Sequence, residues 1–225
     1  MRRSEEFAQK RLIIAEGYDD AVFVTQLIRT AARNLPAFDI WANEELGSVG
    51  GNTGFKRAIM AADARRNFIA VEEVVILADN DMDPNKSFLS ICSQIKNAKL
   101  TGNLSRDWAI PDKPGIKMIG DPSVSIWMFP SEAQHGCLET ILWQAIRNQT
   151  GHAANVACVE AACRCSGSDQ RPVSKLDKAK VRLFLSLVCR DNPAVSFNNL
   201  WRDFPSLIPM NQAAFTPLAN FLRAI

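Results

Sequence analysis

The sequence predicts an α/β fold, a mostly parallel sheet flanked by helices, with a helical C-terminal part folded onto it. Three observations carry that expectation. Residues 12–15 (LIIA) and 74–78 (VVILA) are short and apolar throughout, as strands are when a parallel sheet is covered on both faces. Each run is followed by a segment with helical spacing. From Gly136 onward the pattern is mostly helical.

The elements follow in order. In RLIIAEGYDDAVFV, residues 11–24, the first strand ends at Glu16, and the apolar face resumes at Phe23, Leu27 and Ala31, with Val24 and Ile28 beside it. Asp19 and Asp20 open this helix, where its dipole favours acids whether or not they do anything else. AFDIWAN (37–43) alternates and reads as a second strand. A flexible loop, GSVGGNTG (47–54), precedes a helix expected from Phe55 to about Asn67, with Lys56 and Arg57 in its first turn as candidate substrate contacts. The loop lacks the Walker spacing, because no glycine directly precedes a lysine followed by Ser or Thr.

The third strand, VVILA, ends at DNDMDP (79–84), and a helix through Phe88, Ile91, Cys92 and Ile95 follows. GIKMIG, a turn at Gly120, Asp121 and Pro122, and VSIWMF together predict a hairpin. Trp127, Met128 and Phe129 then read as core. LETILWQAIRN, AANVACVEAAC, KLDKAKVRLFLSLVC and LANFLRAI read as helices, with a polar break at SGSDQRPVS. The expected division is an α/β core over 1–130 and a helical part over 131–225 that packs on the core and completes the site.

Twenty-six basic residues against 24 acidic leave a net charge of +2, so no global field advertises a nucleic-acid binder, although a local patch remains open. The N-terminal MRRSEEFAQKR has no apolar core and no run is long enough to span a bilayer, which leads us to expect a cytoplasmic protein without membrane contact. The 6 cysteines are expected to be free thiols. Cys158, Cys163 and Cys165 contain one close pair and no second, which is poor zinc spacing and better suits packing.

The acids carry the functional argument. Glu16 ends the first strand, and Asp79, Asp81 and Asp83 follow the third. In a doubly wound sheet these ends meet at the crevice beyond the carboxyl edge. Carboxylates held together repel unless a cation neutralises them, and oxygen-only ligation suits Mg²⁺ or Mn²⁺. The plainer alternative makes Asp81 and Asp83 turn residues, with Pro84 starting a helix. An EF-hand loop beginning at Asp79 fails, because its sixth and twelfth positions are Pro84 and Ser90. A haloacid-dehalogenase-type phosphatase, with Asp79 as nucleophile and Asp81 as acid, leaves Glu16 without a role.

AEGYDD followed by ILADNDMD resembles the Toprim domain, a Rossmann-like fold whose signature is a glutamate and glycine after the first strand and a DxD after a later one. The spacing from Glu16 to Asp20 is similar to the OLD-type nucleases, in which a second acid contributes to a second metal. FPSEAQHGCLETIL resembles a further motif of small free-standing OLD-like Toprim proteins and implies Glu139 as another ligand. The tail KLDKAKVRLFLSLV, then FTPLANFLRAI, is also similar to that group.

The resemblance implies a metal-dependent nuclease acting on DNA or RNA, with metal held by Glu16, Asp20, Asp79, Asp81 and Glu139. Its catalytic residues would be Glu16 and a lysine, Lys178, with Lys175 and Lys180 as alternatives on the same helix. An ATPase partner, a homodimer and a role in phage defence are further implications. A topoisomerase is disfavoured because the single tyrosine, Tyr18, lies inside the acidic motif. No added zinc-binding or template-binding region of a primase is visible. The rival readings are a non-catalytic metal-binding regulatory subunit and a metal-dependent phosphatase. His135 and His152 read as loop residues, His135 with a minor substrate contact open to it.

Overall fold

A computed structural model describes residues 6–31, 35–48 and 50–225. Residues 1–5 of the charged N-terminal segment, Val49 of the glycine-rich loop and the side chain of Ala31 lie outside the described residues. Four strands, β1 (Arg11–Ala15), β2 (Asp39–Ala42), β3 (Glu73–Asp79) and β4 (Ser123–Phe129), form one parallel sheet in the order β2-β1-β3-β4. The helices are α1 (Tyr18–Ala31), α2 (Phe55–Asp63), α3 (Pro84–Thr101), α4 (Leu138–Arg147), α5 (Ala153–Cys165), α6 (Val173–Val188), α7 (Phe197–Asp203) and α8 (Thr216–Ala224).

Central position explains the continuous apolar strands. Along β1 and β3, Ile13, Ala15, Val75 and Leu77 face a core shared with α1 and the helices after β4, while Leu12, Ile14, Val74 and Ile76 face a second core built with α2 and α3. A strand buried on both faces has no polar positions to alternate. On the first face, Phe23 of α1 packs against Phe129, Trp201 and Phe215, tying β4, α7 and the turn before α8 to α1. Among the described residues no helix is long and apolar enough to cross a membrane.

Three expectations are corrected. VSIWMF is not half of a hairpin but β4, paired in parallel with β3 from Glu73↔Ser123 to Asp79↔Phe129. GIKMIG keeps one antiparallel bridge, Met118↔Val124. Burial decides this: Val124, Ile126 and Met128 complete the second core, which a peripheral hairpin would leave open. The helix from Phe55 stops at Asp63 and gives way to a 3₁₀ turn, Arg66–Ala70. There the Asp63 carboxylate accepts hydrogen bonds from Trp108 Nε1 at 2.9 Å and from the Ser105 amide, turning inward to hold the chain leading to β4. Finally, α7 had no counterpart among the expected helices; its 7 residues are too short for a periodic signal. Cys158 and Cys165 are exposed while Cys163 is buried in the core, so all three stand as free thiols without a common focus.

Candidate functional site

Pairing of β1 with β3 brings the first two acids together. Ala15 lies opposite Leu77, so Glu16 emerges beside the end of β3, and its N–H continues the ladder to the Leu77 carbonyl at 2.9 Å. Glu16 Oε2 then accepts the backbone N–H of Asp79 at 2.9 Å, which fixes the carboxylate across the strand ends. The next segment turns into α1, whose first turn places Asp20 alongside. Its Oδ2 accepts the Gly17 N–H at 2.9 Å, and the side chain is buried.

The third contribution comes from α4. Asp79 Oδ1 accepts the Leu138 N–H at 3.1 Å at that helix's N-terminus, and Glu139 lies buried in the same first turn, where the helix dipole favours an anion. The approach of α4 is set by the segment before it. Asp81 and Gly136 exchange backbone hydrogen bonds of 2.8 and 2.9 Å, and Asp81 adopts φ 50° to make them. Gly136 has φ 137°, and a Cβ there would lie 2.4 Å from Thr140 Oγ1, so only glycine fits without displacement. Asn80, fully buried, donates its amide to the carbonyls of Ser131 and Gln134, while Ser87 Oγ donates to its carbonyl at 2.9 Å. The acidic turn after β3 therefore also locks the loop that delivers Glu139.

The cation arrives from α6. Lys178 Nζ lies 3.4 Å from Asp79 Oδ2, and the side chain is half exposed. Lys180 is engaged elsewhere, 3.4 Å from Asp177 Oδ1 and over the Trp143 ring, and Lys175 is exposed. Glu16, Asp20, Asp79, Glu139 and Lys178 line one cleft of about 370 Å³.

Electrostatics follow from crowding acids out of water. Burial, reinforced by Asp81, raises Glu16 to about 7 against the opposing hydrogen bonds from Asp79 and Asn52 backbone and the charge of Lys178. Burial also raises Asp20, with Asp79, Glu16 and Glu139 adding to it. Asp79 is raised by burial and by Glu16 and Glu139, while Lys178 and the Leu138 N–H pull the other way. Partial burial works against the Lys178 ammonium, but Asp79 and Glu139 outweigh it and hold its pKa above the ordinary lysine value.

Not every expected residue joins. Asp81 is exposed at the rim, near enough to act on Glu16 through its charge but outside the residues lining the cleft. Lys56 and Arg57 open α2 and do not line it; the Lys56 N–H instead donates to Gln94 Oε1 at 3.1 Å. Asp83 caps α3 through a 3.0 Å bond from the Lys86 N–H, so its role is local. His135 is exposed, and His152 packs edge-on against Phe184 with Nε2 3.0 Å from the Leu207 carbonyl.

Sequence reasoning missed Glu44, just after β2, which also lines the cleft beside Tyr18, Asp19 and Gly51. The available signal was positional, since β2 too ends in acids at the carboxyl edge of the sheet. It also missed the glycine-rich loop's contribution, the Asn52 backbone that works against the upward shift of Glu16.

Among the described residues no three His, Cys, Asp or Glu side chains are drawn close enough to hold a metal ion as they stand. Glu16, Asp20 and Asp79 are instead each held by a backbone N–H. The chemistry of the donor set nonetheless fits a hard divalent cation, since it is all carboxylate, comes from separate elements and carries a like-charge strain that a cation relieves.

Fold and cleft together define an α/β protein with a carboxylate crevice at the ends of its parallel strands. Residues 10–225 match the model of DUF3226, described as a protein of unknown function, and the chain belongs to that family. No curated protein and no solved structure matches it.

Proposed function

We propose that this chain is a divalent-metal-dependent nuclease hydrolysing phosphodiester bonds in DNA or RNA. The observation that carries the reading is the meeting of four acids from three parts of the chain, Glu16, Asp20, Asp79 and Glu139, in one cleft with Lys178 on Asp79. The resemblance of AEGYDD, ILADNDMD and HGCLE to OLD-type Toprim motifs supports the same chemistry.

Glu16, Asp20, Asp79 and Glu139 would hold the ion or ions, with Asp81 at the rim as a further oxygen donor. Bound Mg²⁺ or Mn²⁺ supplies Lewis-acid polarisation of the phosphodiester and a more acidic water at neutral pH. The chain's own part is to hold the acids in register through the Asp79, Gly17 and Leu138 N–H groups and to keep Glu16 available as a proton acceptor. Lys178 is placed to offset negative charge growing on the phosphate oxygens in the transition state. An ATPase partner and a role in phage defence belong to this proposal through the resemblance, and a cytoplasmic setting and a homodimer are part of the same reading.

The experiment is incubation of the purified chain with end-labelled DNA and RNA in Mg²⁺, Mn²⁺ or EDTA. Cleavage in metal and none in EDTA is the expected result; intact strands under every condition would remove the assignment.

A further inference from the structure

A second depression of about 460 Å³ lies between α1 and α7, and Tyr18 borders both it and the carboxylate cleft. Along α1 its wall is a stripe at Tyr18, Val22, Gln26 and Arg29, positions that recur on one helix face. From Tyr18 to Arg29 the stripe runs about 16 Å at the helical rise per residue. The opposite wall carries Asn198 and Arg202, over a floor that includes the buried Trp201. Tyr18 is the residue the two depressions share, so the second adjoins the acids and extends along α1, with Arg29 and Arg202 on its walls.

The chemistry of the channel differs from that of the cleft. Arg29 is exposed and makes no ion pair among the described residues, and Arg202 is exposed with its guanidinium donating to both Asp203 carboxylate oxygens at 2.7 and 3.0 Å. Arg182 ties the junction together, 2.9 Å from Asp19 at the cleft and over the ring of Phe197 at the start of α7. Tyr18 is 50% exposed, between the half-buried Gly17 and Asp19, at the point where the channel meets the cleft. Cations along a groove track a phosphate backbone, and an open aromatic ring accepts the face of a base. In a duplex that face is stacked and unavailable, so the combination selects an unpaired strand.

We infer that the α1–α7 channel binds the single-stranded nucleic acid leading away from the scissile phosphate, with Tyr18 stacking on a base next to the cleft and Arg29 and Arg202 contacting phosphates beyond it. This rests on the phosphodiesterase reading of the cleft and adds the form of the substrate and its course across the surface.

The test is fluorescence anisotropy of short labelled single-stranded and duplex oligonucleotides with the full chain in EDTA, so that binding is read without cleavage. Arg29→Ala and Arg202→Ala should each weaken single-strand binding and lower the slope of log K against log salt by about 0.7. Tyr18→Ala should weaken it by about ten-fold, while Tyr18→Phe, which keeps the ring, should not. All three residues are exposed or half exposed, and matching circular dichroism confirms that the variants fold. Unchanged binding in these variants would overturn the channel, as would an equal loss from Arg57→Ala on α2, equal affinity for duplex with no effect of Tyr18→Ala, or a change in self-association by sedimentation in place of a change in strand affinity. Hydrolysis of the small diester bis(4-nitrophenyl) phosphate by the unaltered chain with Mn²⁺ reads the cleft alone. Its failure falls on the nuclease reading, whereas the channel is judged by strand binding.

Discussion

Lys178 owes its place to where α6 docks rather than to its spacing along the helix. Lys175 and Lys178 are three residues apart and so lie within about 60° of each other around a helix axis. What separates them is height: one turn further along, the side chain reaches Asp79 at 3.4 Å, while Lys175 projects into solvent. Lys180 points away, to Asp177 and Trp143. The sequence therefore offers three lysines and only docking distinguishes them. Lys178→Met keeps the apolar stem and deletes the charge, and should cut metal-dependent cleavage by about 10²-fold or more with Mn²⁺ affinity retained by calorimetry. A comparable loss in Lys175→Met or Lys180→Met, with Lys178→Met near wild type, would move the role along the helix. Glu16, Asp20 and Asp79 were visible in the sequence because strand ends and helix starts are themselves sequence patterns, whereas Glu139 came only through the resemblance of FPSEAQHGCLETIL. Glu44 was not visible, because an acid after an edge strand reads equally well as a solvated turn.

At the scale of elements, the loop from Phe129 to α4 does most to complete the site. Gly136 pairs with Asp81 through two backbone bonds, and the chain then enters α4 so that the Leu138 N–H meets Asp79. Adding a methyl group at Gly136 meets Thr140 Oγ1 at 2.4 Å and forces an unfavourable φ of 137° on a non-glycine residue. Gly136→Ala should destabilise the fold by about 1–3 kcal/mol, visible as a lower Tm. It should also reduce cleavage more than the lost stability accounts for, because Glu139 is delivered by the same turn. A variant with wild-type Tm and activity would show that α4 is positioned by its core contacts alone. The elements legible in the sequence were those with one strong signal, such as the continuous apolar β1 and β3. β4 was misassigned because a glycine and proline turn between two apolar runs is the local mark of a hairpin, and local marks do not reveal that β3, about 50 residues earlier in the chain, is the true partner.

For the molecule as a whole, acids gathered away from water tie stability to pH. Glu16 is raised from 4.5 to about 7 in the folded chain, mainly by burial and then by Asp81. Between those two values the folded state holds a proton that the unfolded state has released, so this group's contribution to stability falls as pH rises through the window. Asp20 and Asp79 are raised as well and act in the same direction. In EDTA, Tm should therefore drop from about pH 5 to pH 7.5 more steeply in the wild type than in Glu16→Gln, which keeps an acceptor for the Asp79 N–H; parallel curves would contradict the burial cost. Added Mn²⁺ should raise the wild-type Tm at neutral pH by relieving the same repulsion. The central claim is that these acids hold metal for phosphodiester cleavage, and its most direct measurement is Mn²⁺-dependent cleavage of labelled single-stranded DNA and RNA by wild type, Glu16→Gln and Asp79→Asn, all confirmed folded. The account predicts cutting by the wild type, none in EDTA, and loss of cutting by at least about 10²-fold in both variants. Wild-type rates in Glu16→Gln and Asp79→Asn, or no cutting by the wild type with either Mg²⁺ or Mn²⁺, would contradict it.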